Sequence, residues 1–183
     1  MLEPARSARP RIVTAATALV VVAVSAPPVS AATMSQSRGA PNLERSIVSE
    51  LNTARTQRAL RPLRPSPQLR AAARRHSAEM LAHGYFSHAS SDGGSFSARV
   101  TRFYRPPQHG AYAIAENLLW RSPSVSANQV VSLWLESPEH RSILLSPRWR
   151  DVGVAAVHAA HASGAFGGAP VTMVTADFGA RTP

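Results

Sequence analysis

The sequence predicts an α+β domain, and two observations carry that prediction. Apolar residues recur at helical spacing in several stretches between Leu43 and Leu145, while two later segments, Asp151–His158 and Val171–Phe178, alternate in the period of a strand. Helices that precede a small amount of strand, over 183 residues with 44% hydrophobic content, fit one domain with its own core.

The elements follow in chain order. Asn42 can cap a first helix whose Leu43, Ile47, Val48, Leu51 and Ala54 share one face, ending near Arg58. "LRPLRPSPQLR" (60–70) is broken by prolines and extended, until Ser66 as cap and Pro67 in the first turn open a second helix. Its core face is Leu69, Ala72, Ala73, His76 and Met80, and Gly84 closes it. "GYFSHASSDGGS" (84–95) is a loop, "FSARVTRFY" (96–104) a short helix and "RPPQHG" (105–110) a connection. Residues 126–136 are helical through Val130, Val131 and Trp134, and "SPEHRSILL" (137–145) starts another helix with Ser137 as cap and Pro138 at its first position. The two alternating segments then read as an antiparallel hairpin with a long Gly/Ala/Pro connection, and no internal repeat is present.

Ahead of the domain, Arg6, Arg9 and Arg11 precede the apolar run Ile12–Val24, and "VSAA" (29–32) supplies small residues for cleavage. Thirteen residues are too few for a membrane span of about 20, so residues 1–31 read as a secretory signal peptide, 32–42 as a linker and 43–181 as the domain. Cleavage after Ala31 would lower the net charge from +10 to +8. The expected location is extracellular or the outer face of the cell envelope, with no transmembrane segment left after cleavage. No cysteine occurs, which removes disulfides, a cysteine nucleophile and thiolate metal ligands together.

All 20 basic residues are arginine, against 10 acidic ones. The arginines are scattered, so the excess implies weak attraction to anionic surfaces and no sequence-specific nucleic-acid readout. A monomer is expected.

Two stretches carry candidate chemistry. In "AYAIAENLLW" (111–120), Glu116 is a lone carboxylate within an apolar run. Burying it unpaired costs several kcal/mol, so it needs a partner or a cleft, and His88 at the end of "GYFSH" is a natural partner. In "WLESPEHRSILL" (134–145), Glu139 is explained by the positive end of the helix it opens, whereas His140 gains nothing from that dipole. His140 is either a cleft residue or a part-buried histidine bonded to a carbonyl. His76 reads as structural, with its polar tip near the cleft; His83, His109, His158 and His161 read as loop or strand-end residues.

"LNTARTQRALRPLRPSPQLRAAARRHSAEMLAHGYFSH", "AENLLW", "WLESPEHRSIL", "DVGVAAV" and "VTADFG" follow one another in the order seen in CAP superfamily domains, and from about Leu43 to Gly179 the chain resembles their cysteine-free, secreted bacterial branch. The resemblance implies an α-β-α sandwich, a small antiparallel sheet with helices on both faces. It also implies a cleft of two histidines and two acidic residues able, in some members, to hold a divalent metal. Carried over, these are His88, Glu116 within "AEN" where the family has Gly-Glu-Asn, and His140, preceded by Glu139 where the family has glycine. The second acidic residue belongs three positions after the tryptophan, where this chain has Ser137, with Glu136 one position earlier.

Imidazoles suit zinc or copper, with glutamates as orienting partners, and two histidines alone leave the coordination shell open. Two functions of different class are consistent with these residues. One is a secreted binding module for a metal, a lipid-like or other small apolar ligand, or a cell-envelope component. The other is a metal-dependent hydrolase acting on peptide or cell-wall material. The residues favour the first, because no nucleophile, oxyanion hole or complete metal shell is visible.

Overall fold

The computed structural model describes residues 38–182, so the expected signal peptide lies outside the described residues. The elements are β1 (Arg38–Gly39), α1 (Pro41–Thr56), β2 (Arg64–Pro65), α2 (Pro67–His83), α3 (Phe96–Thr101), β3 (Tyr112–Arg121), α4 (Ala127–Glu136), α5 (Pro138–Leu144), β4 (Asp151–Ala159), a 3₁₀ turn (Gly164–Phe166) and β5 (Val171–Arg181). The strands form one sheet in the order β1-β4-β5-β3, antiparallel throughout, and β2 pairs with β4 in parallel. The expected β4–β5 hairpin is present, spanning Asp151↔Gly179 to Ala159↔Val171.

Helices cover both faces, which makes the fold an α-β-α sandwich. On one face Ile47 and Leu51 of α1, Trp134 of α4 and Leu144 of α5 pack on Val154, Val174 and Phe178. On the other, Leu69, Ala72 and Met80 of α2 and Val100 of α3 meet the residues of opposite parity, among them Leu118, Val157 and Met173. Among the described residues, no helix is long and apolar enough to cross a membrane.

The turn chemistry read from the sequence holds for α2. Ser66 Oγ accepts from Leu69 N–H, and Gly84 ends the helix at φ +66°, a conformation costly for any residue with a Cβ. Gly153 has a different role, since a Cβ there would lie 2.0 Å from the backbone nitrogen of Arg70. Its bare backbone is what lets the first turn of α2 rest on the sheet.

Several readings change. Arg38–Gly39, placed in a linker by the sequence, form β1, and α1 starts at Pro41 behind Ala40, so Asn42 lies inside the helix instead of capping it. The helix expected to end near Arg58 ends at Thr56, and the one expected to reach Tyr104 stops at Thr101. The run 111–120, which the pattern left without an element, is the ten-residue edge strand β3. Ser137 occupies the cap position of α5 without a side-chain cap bond; it also ends α4, with its N–H donating to Leu133 C=O.

Candidate histidine–carboxylate site

Glu116 lies mid-way along β3 with its side chain on the α2/α3 face, opposite Asp177 of β5. Its carboxylate is almost fully buried and held from two sides. His88 Nδ1 is 2.8 Å from Oε1, and Arg99 Nη2 of α3 donates to Oε2 at 2.6 Å. The same guanidinium donates through Nη1 to His88 C=O (3.1 Å) and Ser90 Oγ (3.0 Å), so Arg99 fixes both the carboxylate and the loop carrying His88. His76, fully buried in α2, anchors that loop from behind by donating Nε2–H to Ser87 C=O at 2.8 Å. Burial lowers the pKa of His76, which keeps it a neutral donor.

A carboxylate can only accept, so Nδ1 of His88 carries the proton and Nε2 is left with its lone pair on a side chain that is 58% exposed. The bond to Glu116 raises the His88 pKa, against partial burial. His140, in the first turn of α5, is half-buried, and its pKa is lowered by burial and by the nearby charge of His88. Its carbonyl accepts from Asn117 Nδ2 (3.1 Å), which ties α5 to β3 next to Glu116. The two histidines thus belong to opposite faces of the sheet at the open edge of β3, near enough for the charge of His88 to act on His140. Glu139 is exposed in the first turn of α5. Glu136 is exposed at the end of α4 and lines a different groove, of about 410 Å³, with Arg121 and Gln129.

Two members of the site escape the sequence reading. Arg99 sits beside core-facing Val100 in a short amphipathic helix, where an arginine normally reaches solvent. Asp177 is fully buried beside Glu116 with neither oxygen in a full hydrogen bond, and burial followed by the Glu116 charge pushes its pKa well above the carboxylate range. The reasoning that singled out Glu116, a lone carboxylate in an apolar strand, applies equally to "VTADF". A carboxyl whose folded pKa is raised stabilises the fold below its unfolded pKa of about 3.9 and loses that contribution as pH rises through the folded value. Asp177→Asn, neutral at every pH, should therefore gain stability relative to the parent as pH rises from 4 to 8. Urea denaturation across that range checks this, and parallel curves would show that Asp177 ionises as readily in the fold as in the unfolded chain.

The architecture and the sequence pattern converge on one family: residues 48–178 match the model of the cysteine-rich secretory protein family, CAP. The chain belongs to that family. Among solved structures, the fold of this CAP domain is similar to an extracellular SCP-domain protein of Bacillus anthracis (24% identity, TM-score 0.59), over 75% of this chain and 40% of that one. It is also similar to an outer surface protein of Borrelia burgdorferi (18%, TM-score 0.62; 79% and 98%) and a cysteine-rich secretory protein of Staphylococcus aureus (17%, TM-score 0.53; 76% and 38%). The chain thus spans well under half of the Bacillus and Staphylococcus proteins. No curated protein sequence matches it.

Proposed function

We propose that this CAP domain is a secreted binding module whose cleft takes a divalent metal, zinc or copper, between His88 and His140, with room beside it for a small apolar ligand or cell-envelope component. The observation that carries this reading is His88 itself. Glu116 holds its Nδ1–H and so presents an exposed Nε2 lone pair, the arrangement in which a carboxylate orients a metal-binding imidazole. Among the described residues no three His, Cys, Asp or Glu side chains surround one point, so the protein would supply two ligands and leave the remaining positions open. Such an ion would act as a Lewis acid toward whatever occupies those positions. That openness is also what a hydrolase would use, but among the described residues no hydroxyl is hydrogen-bonded to the ring of His88 or His140. Glu136, placed on another groove, joins the site only if α4 shifts. Secretion fits the extracellular and outer-surface descriptions of the structural relatives, and the arginine excess adds weak attraction to anionic surfaces.

Zinc at about 100 times its dissociation constant should raise stability by about 2.7 kcal/mol. His88→Ala or His140→Ala should remove that gain. Glu139→Ala should cost a few tenths of a kcal/mol at most and leave the gain intact, because its part is in the helix dipole. Protons compete for the same nitrogens, and the raised pKa of His88 means that binding weakens as pH falls through values above the ordinary 6.5 or so. In the metal-free protein the His88–Glu116 contribution has the opposite trend, present below about 6.5 and lost as pH rises through the folded pKa; it is small because the ring is largely solvated. Thermal unfolding with zinc chloride and with copper sulfate tests this. No gain with either metal, or a gain that survives both histidine variants, refutes the site.

A further inference from the structure

Among the described residues, the opposite border of the sheet carries an unfilled position. Along the outer edge of β4, Arg150 and Val152 carbonyls accept from Arg64 and Ser66 N–H at 2.9 and 2.8 Å. Two residues further, the Ala156 carbonyl accepts from Ala40 N–H at 2.9 Å and its N–H donates to Glu44 Oε1 at 3.2 Å. The β4–β5 register is continuous from Asp151 to Ala159, so backbone groups alternate strictly between the two sides of the strand. The N–H and C=O of Val154 therefore point to this same outer edge, midway between β2 and β1, and neither short strand reaches them. Val154 is nonetheless buried, and buried backbone groups left without partners are rare.

Above this gap lies a groove of about 700 Å³ between α1 and α2, a size typical of ligand pockets. Val48 and Ala71 form its apolar walls, and Pro41 and Pro67 at the two helix starts offer it no N–H. Arg45, Arg70 and Arg74 also line it. Glu44, almost fully buried, is shared by Arg70 and Arg74, while among the described residues Arg45 bonds only the neutral side chain of Asn42. Three cations against one carboxylate leave an excess of positive charge.

We infer that this groove binds the carboxyl-terminal end of an extended peptide with apolar last residues. One peptide residue would exchange two hydrogen bonds with Val154, completing the edge as added strands do elsewhere. Ser66 and Ala40 block the edge two residues to either side, so a strand cannot run through, and what fits is a chain end. The excess positive charge selects a carboxylate over an amine, and the walls select apolar side chains. The site lies across the sheet from His88 and does not depend on the metal reading.

The test uses the full chain, ¹⁵N-labelled, titrated with N-acetyl pentapeptides randomised over Ala, Val, Leu, Ile and Phe at the last two positions, as free acids and as C-terminal amides. Binding of the acids should shift the Val154 amide and slow its hydrogen exchange. Amidation should weaken binding on the order of tenfold or more, the value of a hydrogen bond to a charged group. Arg45→Ala, outside the Glu44 pair, should narrow the gap between acid and amide, and Ala71→Glu, on an exposed helix position, should weaken the acids; both should keep the parent unfolding temperature within a few degrees. His88→Ala should bind the acids as the parent does. Equal binding of acid and amide, an unaffected Val154 amide, shifts confined to the His88 cleft, or no binding at millimolar peptide would each overturn the proposal.

Discussion

Arg99→Met should cost about 3–5 kcal/mol, because it removes one half of a buried ion pair and leaves the other half in place. Arg99 and Glu116 are both nearly inaccessible and 2.6 Å apart, so the Glu116 carboxylate would lose its main counter-charge where water cannot replace it. Methionine keeps the length and apolar stem of the side chain, which limits the change to charge and hydrogen bonding. The bonds to His88 C=O and Ser90 Oγ go as well, loosening the loop that presents the imidazole. Adding Glu116→Gln to Arg99→Met should restore much of the loss, since the orphaned charge is then gone, and the two substitutions should be strongly non-additive. The His88 titration gives an independent check: the Arg99 charge holds its pKa down, so in Arg99→Met the ring should protonate at higher pH. Urea denaturation of the cycle and NMR titration of the ring measure both. A loss below about 1 kcal/mol, or additive losses, would mean that Glu116 reaches solvent.

How much of this could be read in advance depended on whether the controlling interaction was local. The second helix was legible to its ends because Ser66, Pro67 and Gly84 act on their own neighbours. Strand β3 was not, because packing on both faces replaces the alternation of a half-exposed strand with an apolar run, "AIAENLLW", interrupted only by the adjacent pair Glu116-Asn117. Within the site, His88 and Glu116 could be paired from the cost of burying a lone carboxylate. Arg99 and Asp177 depend on where α3 docks and on the β3–β5 register that sets Glu116 opposite Asp177, and no local pattern encodes either. Glu136 shows the same limit in reverse. It stands one position short of the place that the resemblance assigns to the second acidic residue, and the geometry of α4 turns it toward Arg121 and a separate groove.

Trp134→Ala should cost about 3–5 kcal/mol, as expected for emptying a large aromatic site in a close-packed core. Trp134 is 1% exposed and packs among the residues joining α1 and α4 to the sheet. It does a second thing that volume alone does not capture. Leu118 C=O points off the open edge of β3, where no strand can receive it, and Trp134 Nε1–H donates to it at 3.1 Å. Trp134→Phe keeps most of the bulk but strands that carbonyl, and should cost about 1–3 kcal/mol. The consequence reaches the site, since Ser137 ends α4 and begins α5 at once, leaving no slack between Trp134 and His140. Trp134→Phe should therefore move the His140 ring resonances while leaving those of His76, on the other face of the sheet, in place. If phenylalanine cost as much as alanine, the bond to Leu118 and not the filled volume would be what holds α4. If the His140 resonances stayed put in both variants, α5 would be positioned by the Asn117 bond and the packing of Leu144, independently of Trp134.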